Sequence, residues 1–156
     1  MNAVLAAAGL TGDAGLHAAL SERFDITTLT AGQVENYARL TEDATFDASF
    51  AAGRQVIDLL EAAPHRLTAE QLTSLLRPLP PRYFSLASSR KVVPDEAHLL
   101  IAAVRYATHG RARKGVASVD VAERRKAGAA MKVFLKPNPH FRLPADAHRP
   151  IQMASF

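Results

Sequence analysis

The sequence changes character at the stretch Pro78-Leu79-Pro80-Pro81-Arg82-Tyr83-Phe84-Ser85-Leu86-Ala87. Eight of the nine prolines lie at or after Pro78, whereas apolar residues before it recur at the three- and four-residue spacing of helices. Residues 83–87 are predicted to form a strand, and proline is tolerated beside it because proline precedes the strand or lies on a sheet edge. The pattern indicates a helical first half and a strand-rich second half.

Short amphipathic helices are predicted throughout the first half. Thr30 is placed to cap a helix that carries Tyr37 among its apolar residues. Thr68 and Gln71 have the spacing of a capping box, and Pro78 ends the helix that follows them. About four such helices, each with one apolar face, are expected to pack on one another or on a sheet. No residue pattern in them points to chemistry.

Three more strands are predicted in the second half. Residues 98–106 form a continuous apolar run with a polar end, which is typical of a strand covered on both faces. Residues 131–136 alternate in polarity, so that strand should be half buried, and residues 150–153 begin another. A helical segment, residues 119–127, separates these runs. Helices followed by strands with one intervening helix favour an α+β fold over a doubly wound α/β sheet.

Length and composition exclude several classes of site. The 156 residues suffice for one domain with its own core, since single domains most often have roughly 100–150 residues. The chain has no cysteine, which excludes disulfides, thiolate metal sites and cysteine nucleophiles. The six histidines show no metal-ligand spacing, so we expect no metal. No membrane-spanning run or secretory signal is found, and we expect a soluble cytoplasmic protein without a membrane partner.

The formal net charge of +4 is unevenly distributed. Residues 1–78 carry five basic and ten acidic side chains, whereas residues 79–156 carry fourteen basic and five acidic ones. A locally basic surface attracts anions even when the net charge of the chain is modest. An anionic ligand is therefore expected in the second half.

The first candidate binding motif is Arg82-Tyr83-Phe84-Ser85. On a strand, Arg82 and Phe84 share one face while Tyr83 and Ser85 share the other. A guanidinium suits phosphate oxygens and an aromatic ring suits a planar ring system, so the motif fits a phosphorylated aromatic ligand. An edge strand with one surface arginine and two core aromatics would give the same pattern.

The second candidate is the turn Gly115-Val116-Ala117-Ser118 at the start of the predicted helical segment. Free N–H groups at a helix start favour anions, and glycine allows a phosphate to approach the main chain closely. Arg111, Arg113 and Lys114 precede the turn and are expected to raise its positive potential. An ordinary serine cap after a flexible basic loop is the alternative interpretation.

Several segments, in their order and spacing, resemble the FAD-binding domain of sulfite reductase flavoproteins. These proteins belong to the diflavin reductases, which are related to cytochrome P450 reductase and built on the ferredoxin–NADP reductase plan. The resemblance covers nearly the whole chain and rests on residues 34–38, 75–79, 81–89, 104–106, 110–118 and 138–144.

The resemblance implies a cofactor, FAD, and a role for each motif. Arg82 would pair with the pyrophosphate, Phe84 would pack on the isoalloxazine or the ribityl chain, and Ser85 would lie near flavin N5 as the one residue close to catalysis. The turn would wrap the pyrophosphate at the helix start. The complete set of FAD-binding residues that it implies is Arg82, Tyr83, Phe84, Ser85, Leu100, Ile101, Ala102, Tyr106, Gly115, Val116, Ala117, Ser118 and Thr27.

The resemblance also implies a fold and an electron path. Residues 1–77 would be the helical connecting region, and residues 78–156 a portion of an antiparallel flavin-binding β-barrel. In the complete family enzyme NADPH reduces FAD, FAD passes electrons singly to FMN, and a hemoprotein subunit receives them. The chemistry belongs to the flavin, while the protein binds and orients it.

The sequence departs from the family pattern in four places. Phe84 replaces the usual tyrosine and lacks its hydroxyl, and Val119-Asp120 follows Ser118 where the family has a small polar residue and Phe. The first barrel strands and FMN domain would precede Met1, and the NADPH domain would follow Phe156. We therefore expect an incomplete barrel, a fragment of a reductase that alone is inactive with NADPH.

The sequence is also compatible with two other functions. The basic clusters Arg111, Arg113, Lys114 and Arg124-Arg125-Lys126 permit an anion- or nucleic-acid-binding module, although only Tyr106 lies nearby as a stacking partner and we expect no nucleic-acid partner. A truncated, non-catalytic product whose helices merely pack is the other alternative.

Overall fold

The computed structural model describes residues 1–140, 145–146 and 148–149. The chain divides into two compact units, Met1–Arg125 and Lys126–Phe156. Five helices make up most of the first half of the chain: α1 Asn2–Ala7, α2 Ala14–Glu22, α3 Ala31–Thr41, α4 Val56–Ala62 and α5 Ala69–Leu75. A 3-10 turn, Ala48–Ala51, lies between α3 and α4. A last short helix, α6 Val116–Val119, continues as a π-helical turn, Asp120–Arg124.

Two small antiparallel sheets accompany the helices. Strand β1 (Phe24–Asp25) pairs with β2 (Arg77–Pro78), and β3 (Arg105–Thr108) pairs with β4 (Arg111–Lys114). The two residues between β3 and β4, His109 and Gly110, both have positive φ, at 48° and 71°. Positive φ at both central residues is what a two-residue hairpin of type I′ requires. The structure is therefore of mixed helix and strand, as the sequence predicts, and its described strands do not form a closed barrel.

The helices before Pro78 enclose the hydrophobic core. Its largest fully buried apolar side chains are those of Tyr37, Leu59, Leu60, Leu72, Val34 and Val56. The phenolic hydroxyl of Tyr37 donates to the carbonyl oxygen of Ala63 at 2.5 Å, so its one polar atom is satisfied inside the core. The apolar spacing in the sequence thus corresponds to one shared core.

The predicted helix starts are confirmed. The hydroxyl of Thr68 accepts from the backbone N–H of Gln71 at 3.1 Å, and the Gln71 side chain accepts from the Thr68 N–H at 2.8 Å. Thr30 caps α3 through the same reciprocal pair with Gln33. Helix α5 ends at Leu75, three residues before Pro78, because Arg77 and Pro78 are taken into β2.

Ion pairs attach the β3–β4 hairpin to the helical core. Arg113 extends from β4 to α4, where its Nη2 lies 2.6 Å from Oδ2 of Asp58, and its Nη1 donates to Gln55 at 2.7 Å. Arg111 pairs with Glu61 and, at 3.5 Å, with Asp58. Part of the charge difference between the two halves of the sequence is therefore neutralised within the fold, because acidic side chains of the first half pair with basic side chains of the second.

The strand predictions are largely wrong in extent and burial. Of residues 98–106, only Arg105 and Tyr106 belong to a strand, and Leu100 is 91% exposed rather than covered. Residues 83–87 contribute one isolated bridge, Leu86 to Leu99. A strand persists only where a neighbour accepts its backbone hydrogen bonds, and among the described residues these segments lack such a neighbour over most of their length.

The remaining predicted segments of the second half have different outcomes. Residues 131–136 form no strand, and Val133 is 71% exposed rather than half buried. The expected strand at 150–153 lies outside the described residues. The predicted helical segment at 119–127 is present but begins earlier, at Val116, and ends at Arg124. Among the described residues, no helix has the length and apolar character that a membrane span requires.

Candidate functional site

A cleft of about 330 Å³ lies where residues of four separate sequence segments meet in the first unit. This volume is within the roughly 300–1,000 Å³ range of small-molecule sites. Its lining comprises Thr27, Thr28, Arg82, Tyr83, Phe84, Ala102, Val104, Tyr106, Lys114, Gly115, Val116, Ala117 and Ser118. The two motifs that the sequence singles out thus border the same cleft.

Most of the predicted site residues belong to this lining, and three do not. Ser85, Leu100 and Ile101 are not among the residues that border the cleft, so their roles stay predictions without support from its geometry. Sequence reasoning missed Thr28 and Val104 as lining residues. Val104 lies within the apolar run 98–106, and its contact with the glycine turn depends on the β3–β4 hairpin, which brings residues 104 and 115 together.

The glycine turn is held tightly against the start of β3. The N–H of Gly115 donates to the carbonyl of Val104 at 2.9 Å, and the Val104 N–H donates to the Ser118 hydroxyl at 3.2 Å. A Cβ placed on Gly115 would lie 2.6 Å from Oγ of Ser118 and 3.0 Å from Cβ of Val104. Glycine is therefore required here by close approach, since the backbone φ of −64° is ordinary.

Replacing Gly115 with alanine is expected to lower the free energy of unfolding by about 1–3 kcal/mol, because the new methyl group overlaps Ser118 and Val104. Gly32 in α3 is the matched control, since a Cβ there meets nothing within 4 Å. Gly32→Ala is expected to be neutral or stabilising by up to about 1 kcal/mol. Thermal unfolding followed by circular dichroism measures both. Equal melting temperatures for the two variants would contradict the tight turn.

Arg82 is the cation of the lining that is available to a ligand. Its side chain is exposed and has no hydrogen-bond or ion-pair partner among the described residues. Lys114, the other cation in the lining, has its Nζ 2.9 Å from Oε2 of Glu123. Because a guanidinium presents a planar fork of donors, Arg82 is suited to two oxygens of one phosphate group.

The expected contribution of the basic run before the turn needs correction. Arg113 is 5% exposed at its side chain and is directed to Asp58 rather than to the cleft, and Arg111 pairs with Glu61 and Asp58. Successive side chains of a strand point to opposite faces, so Arg111 and Arg113 share one face of β4. That face meets Asp58 of α4, while Lys114 lies on the other face. These two arginines anchor the hairpin and do not act on a ligand directly.

Carboxylates around the hairpin are held ionised by their partners. Hydrogen bonds from Lys114 and from Arg105 lower the pKa of Glu123 to about 2. Burial raises the pKa of Asp58, but hydrogen bonds from Arg113 and Gln55 outweigh it, and the net pKa is lowered. Asp120, which departs from the family pattern, pairs with Arg125 at 2.7 Å, so its charge is offset locally.

The cleft combines the Arg82 guanidinium, which has no partner within the described part of the chain, with exposed aromatic side chains and a glycine turn at the start of a helical segment. Such a set binds an anionic group together with a planar ring. Among the described residues, no group of three or more His, Cys, Asp or Glu side chains is placed to hold a metal ion. These features fit the class of proteins that bind a nucleotide cofactor, which carries both an anionic group and a planar ring.

Comparison with known proteins gives the family. Residues 18–119 match the family described as FAD binding domain, and the chain belongs to that family. It is similar to the sulfite reductase [NADPH] flavoprotein alpha-component of Escherichia coli K12, of Escherichia coli O157:H7 and of Shigella flexneri. Each is 41% identical in an alignment of 147 residues that covers 88% of this chain. The chain spans 24% of the length of these relatives.

The side chains of the cleft fit FAD, the cofactor of this family. Arg82 matches the charge of a pyrophosphate, and Phe84 and Tyr106 offer ring faces to an isoalloxazine or an adenine. Gly115–Ser118 border the same cleft as these side chains. The sequence expectation of FAD as the cofactor is confirmed by the family match, and the relatives are described as sulfite reductase flavoproteins.

Proposed function

We propose that this chain is the FAD-binding module of an NADPH-dependent oxidoreductase of the sulfite reductase flavoprotein kind. The observation that carries the proposal is the joining of Arg82-Tyr83-Phe84 and Gly115–Ser118 in one cleft. The two segments are far apart in sequence, and each supplies a different feature that a dinucleotide needs. Residues 1–77 then correspond to the helical connecting region, and residues 78–156 to part of a barrel of the ferredoxin–NADP reductase type.

The residues of the cleft have separate tasks in this proposal. Arg82 binds the pyrophosphate, and the backbone of Gly115–Ser118 surrounds it from the other side. Phe84 packs on the isoalloxazine or the ribityl chain, Tyr83 and Tyr106 border the ring systems, and Ala102 leaves space for them. Ser85, Leu100 and Ile101 stay assigned to the flavin and its surroundings on family resemblance alone.

The electron path of the whole enzyme is also part of the proposal. In the complete enzyme, bound FAD would supply the redox chemistry that links a two-electron hydride donor, NADPH, to the one-electron carriers FMN and a hemoprotein. The relatives named above are described as the flavoprotein alpha-component of sulfite reductase [NADPH]. What this chain contributes is the binding and orientation of one cofactor in that path.

A flavin titration tests the proposal directly. The purified chain is mixed with FAD, passed through a desalting column and examined by visible absorbance. We expect retained flavin, approaching one per chain, with shifted absorbance bands and altered flavin fluorescence. Flavin that elutes entirely in the small-molecule fraction, with an unchanged spectrum at all protein concentrations, would refute FAD binding by this chain.

A further inference from the structure

Asp25 is a fully buried carboxylate next to the cleft but not part of its lining. It lies on β1, directly opposite Arg77 on β2. Its Oδ2 accepts from Nη2 of Arg77 at 2.7 Å and from Nε at 3.2 Å. Its Oδ1 accepts from the N–H of Thr27 at 2.9 Å and from the Thr27 hydroxyl at 2.7 Å. Each oxygen of this carboxylate thus accepts hydrogen bonds from one neighbouring residue.

The carboxylate fixes which way the Thr27 hydroxyl donates. Burial alone raises the pKa of Asp25, but the hydrogen bonds from Thr27 and Arg77 outweigh it and leave the pKa below its ordinary value. An ionised carboxylate only accepts hydrogen bonds. The proton of the Thr27 hydroxyl is therefore committed to Asp25, and the oxygen offers only lone pairs to the cleft.

Ser118, which also lines the cleft, has the opposite arrangement. Its Oγ accepts from the N–H of Val104 at 3.2 Å, so its own proton is not used in that bond. A phosphate oxygen at neutral pH accepts hydrogen bonds and does not donate them. Ser118 is therefore compatible with a phosphate, whereas the Thr27 oxygen would repel one. Thr27 instead suits a hydroxyl or amino group that donates.

We propose that Asp25, held by Arg77, is a positioning residue that fixes Thr27 as a hydrogen-bond acceptor for a donor group of the ligand, namely a ribityl or ribose hydroxyl or the adenine amine. This inference rests on the proposed FAD binding and deepens it. It divides the cleft into a phosphate side at Arg82 and Gly115–Ser118 and a side at Thr27 that recognises a non-phosphate part of the dinucleotide.

Thr27→Val and Thr27→Ser form a matched pair for the test, since valine has the shape of threonine without the hydroxyl and serine keeps the hydroxyl. FAD and inorganic pyrophosphate are the two probes, the second measured by its displacement of FAD. We expect Thr27→Val to weaken FAD binding about 3- to 10-fold, as loss of one neutral hydrogen bond does. Thr27→Ser should remain within about 2-fold of the wild type, and pyrophosphate binding should be unchanged in both.

The alternative outcomes are distinguishable. If the wild-type chain binds no FAD, the proposed function fails and this inference fails with it. If the wild type binds FAD and Thr27→Val binds it equally well, only the inference is overturned. An equal loss of FAD and pyrophosphate binding in Thr27→Val would also overturn it, because that result would place a phosphate at Thr27.

The role of Asp25 is tested by a double-mutant cycle with Asp25→Asn and Thr27→Val. If Asp25 acts through the hydroxyl, the double variant should bind FAD no more weakly than the weaker single variant. Fully additive losses would show that Asp25 supports only the fold and would overturn the positioning role. Arg77→Gln, which removes the other partner of the carboxylate, replaces Asp25→Asn in the cycle if that variant does not fold.

Discussion

Asp58→Ala is expected to lower the free energy of unfolding by about 3–5 kcal/mol, the cost of leaving a buried charge unpaired. The side chains of Asp58 and Arg113 are only 10% and 5% exposed, so water cannot replace the lost partner. Nε of Arg113 already has no hydrogen-bond partner among the described residues, so the guanidinium has few other interactions to compensate for the loss of Asp58. Asp58 also accepts from the N–H of Gln55 at 2.8 Å, and the start of α4 loses that bond too.

Urea and thermal unfolding, followed by circular dichroism, measure this loss. Glu70→Ala is the matched control, because Glu70 is likewise an acidic residue in the first turn of a helix but is exposed. We expect the control to change stability by no more than about 0.5–1 kcal/mol. The double variant Asp58→Ala, Arg113→Met should recover much of the stability, since it removes both charges. Equal stability of Asp58→Ala and Glu70→Ala would show that the buried pair does not anchor the hairpin.

Arg82→Ala is expected to weaken FAD binding by about 10- to 100-fold, the range for loss of a charged hydrogen bond. Arg82 is exposed in the cleft and has no partner among the described residues, so its removal should leave the stability of the fold nearly unchanged. Fluorescence titration with FAD measures the affinity, and the melting temperature without ligand measures the stability. The expected outcome is a large loss of affinity with a small change in melting temperature.

Two control variants separate charge from geometry at Arg82. Arg90→Ala removes an exposed arginine outside the cleft and should bind FAD like the wild type. Arg82→Lys keeps the charge without the planar fork and should fall between wild type and Arg82→Ala. If Arg82→Ala and Arg90→Ala bind FAD equally well, the pyrophosphate is held elsewhere and the assignment of Arg82 is wrong.

Helices were predictable from the sequence because their signals are local. The capping box of Thr68 and Gln71 lies within four residues. The apolar residues around Tyr37 in α3, and those around Leu72 in α5, each recur along one face of their own helix. These signals depend only on residues a few positions apart, so they do not depend on how the rest of the chain is arranged. The helix starts and the core residues therefore follow from the sequence directly.

Strands were predicted less well because a strand depends on its neighbours. The apolar run at 98–106 matches a covered strand in composition, yet Leu100 is almost fully exposed. Pairing requires a second strand at hydrogen-bonding distance, and no property of the run itself specifies whether one is present. The hairpin of β3 and β4 formed where the local turn, His109-Gly110, supplies the backbone conformation that joins two strands.

The sequence by itself determined the helices, the family, the cofactor and the identity of most residues around the cleft. Only the tertiary structure decided which charges face that cleft: Arg82 has no partner among the described residues, whereas Arg111 and Arg113 are directed to carboxylates of α4. It also decided the direction of the Thr27 hydroxyl, through a carboxylate that is buried and paired with Arg77. The physical reason is the same in both cases, because the decisive ion pair, Asp25 with Arg77 or Asp58 with Arg113, joins residues more than fifty positions apart that only folding brings together.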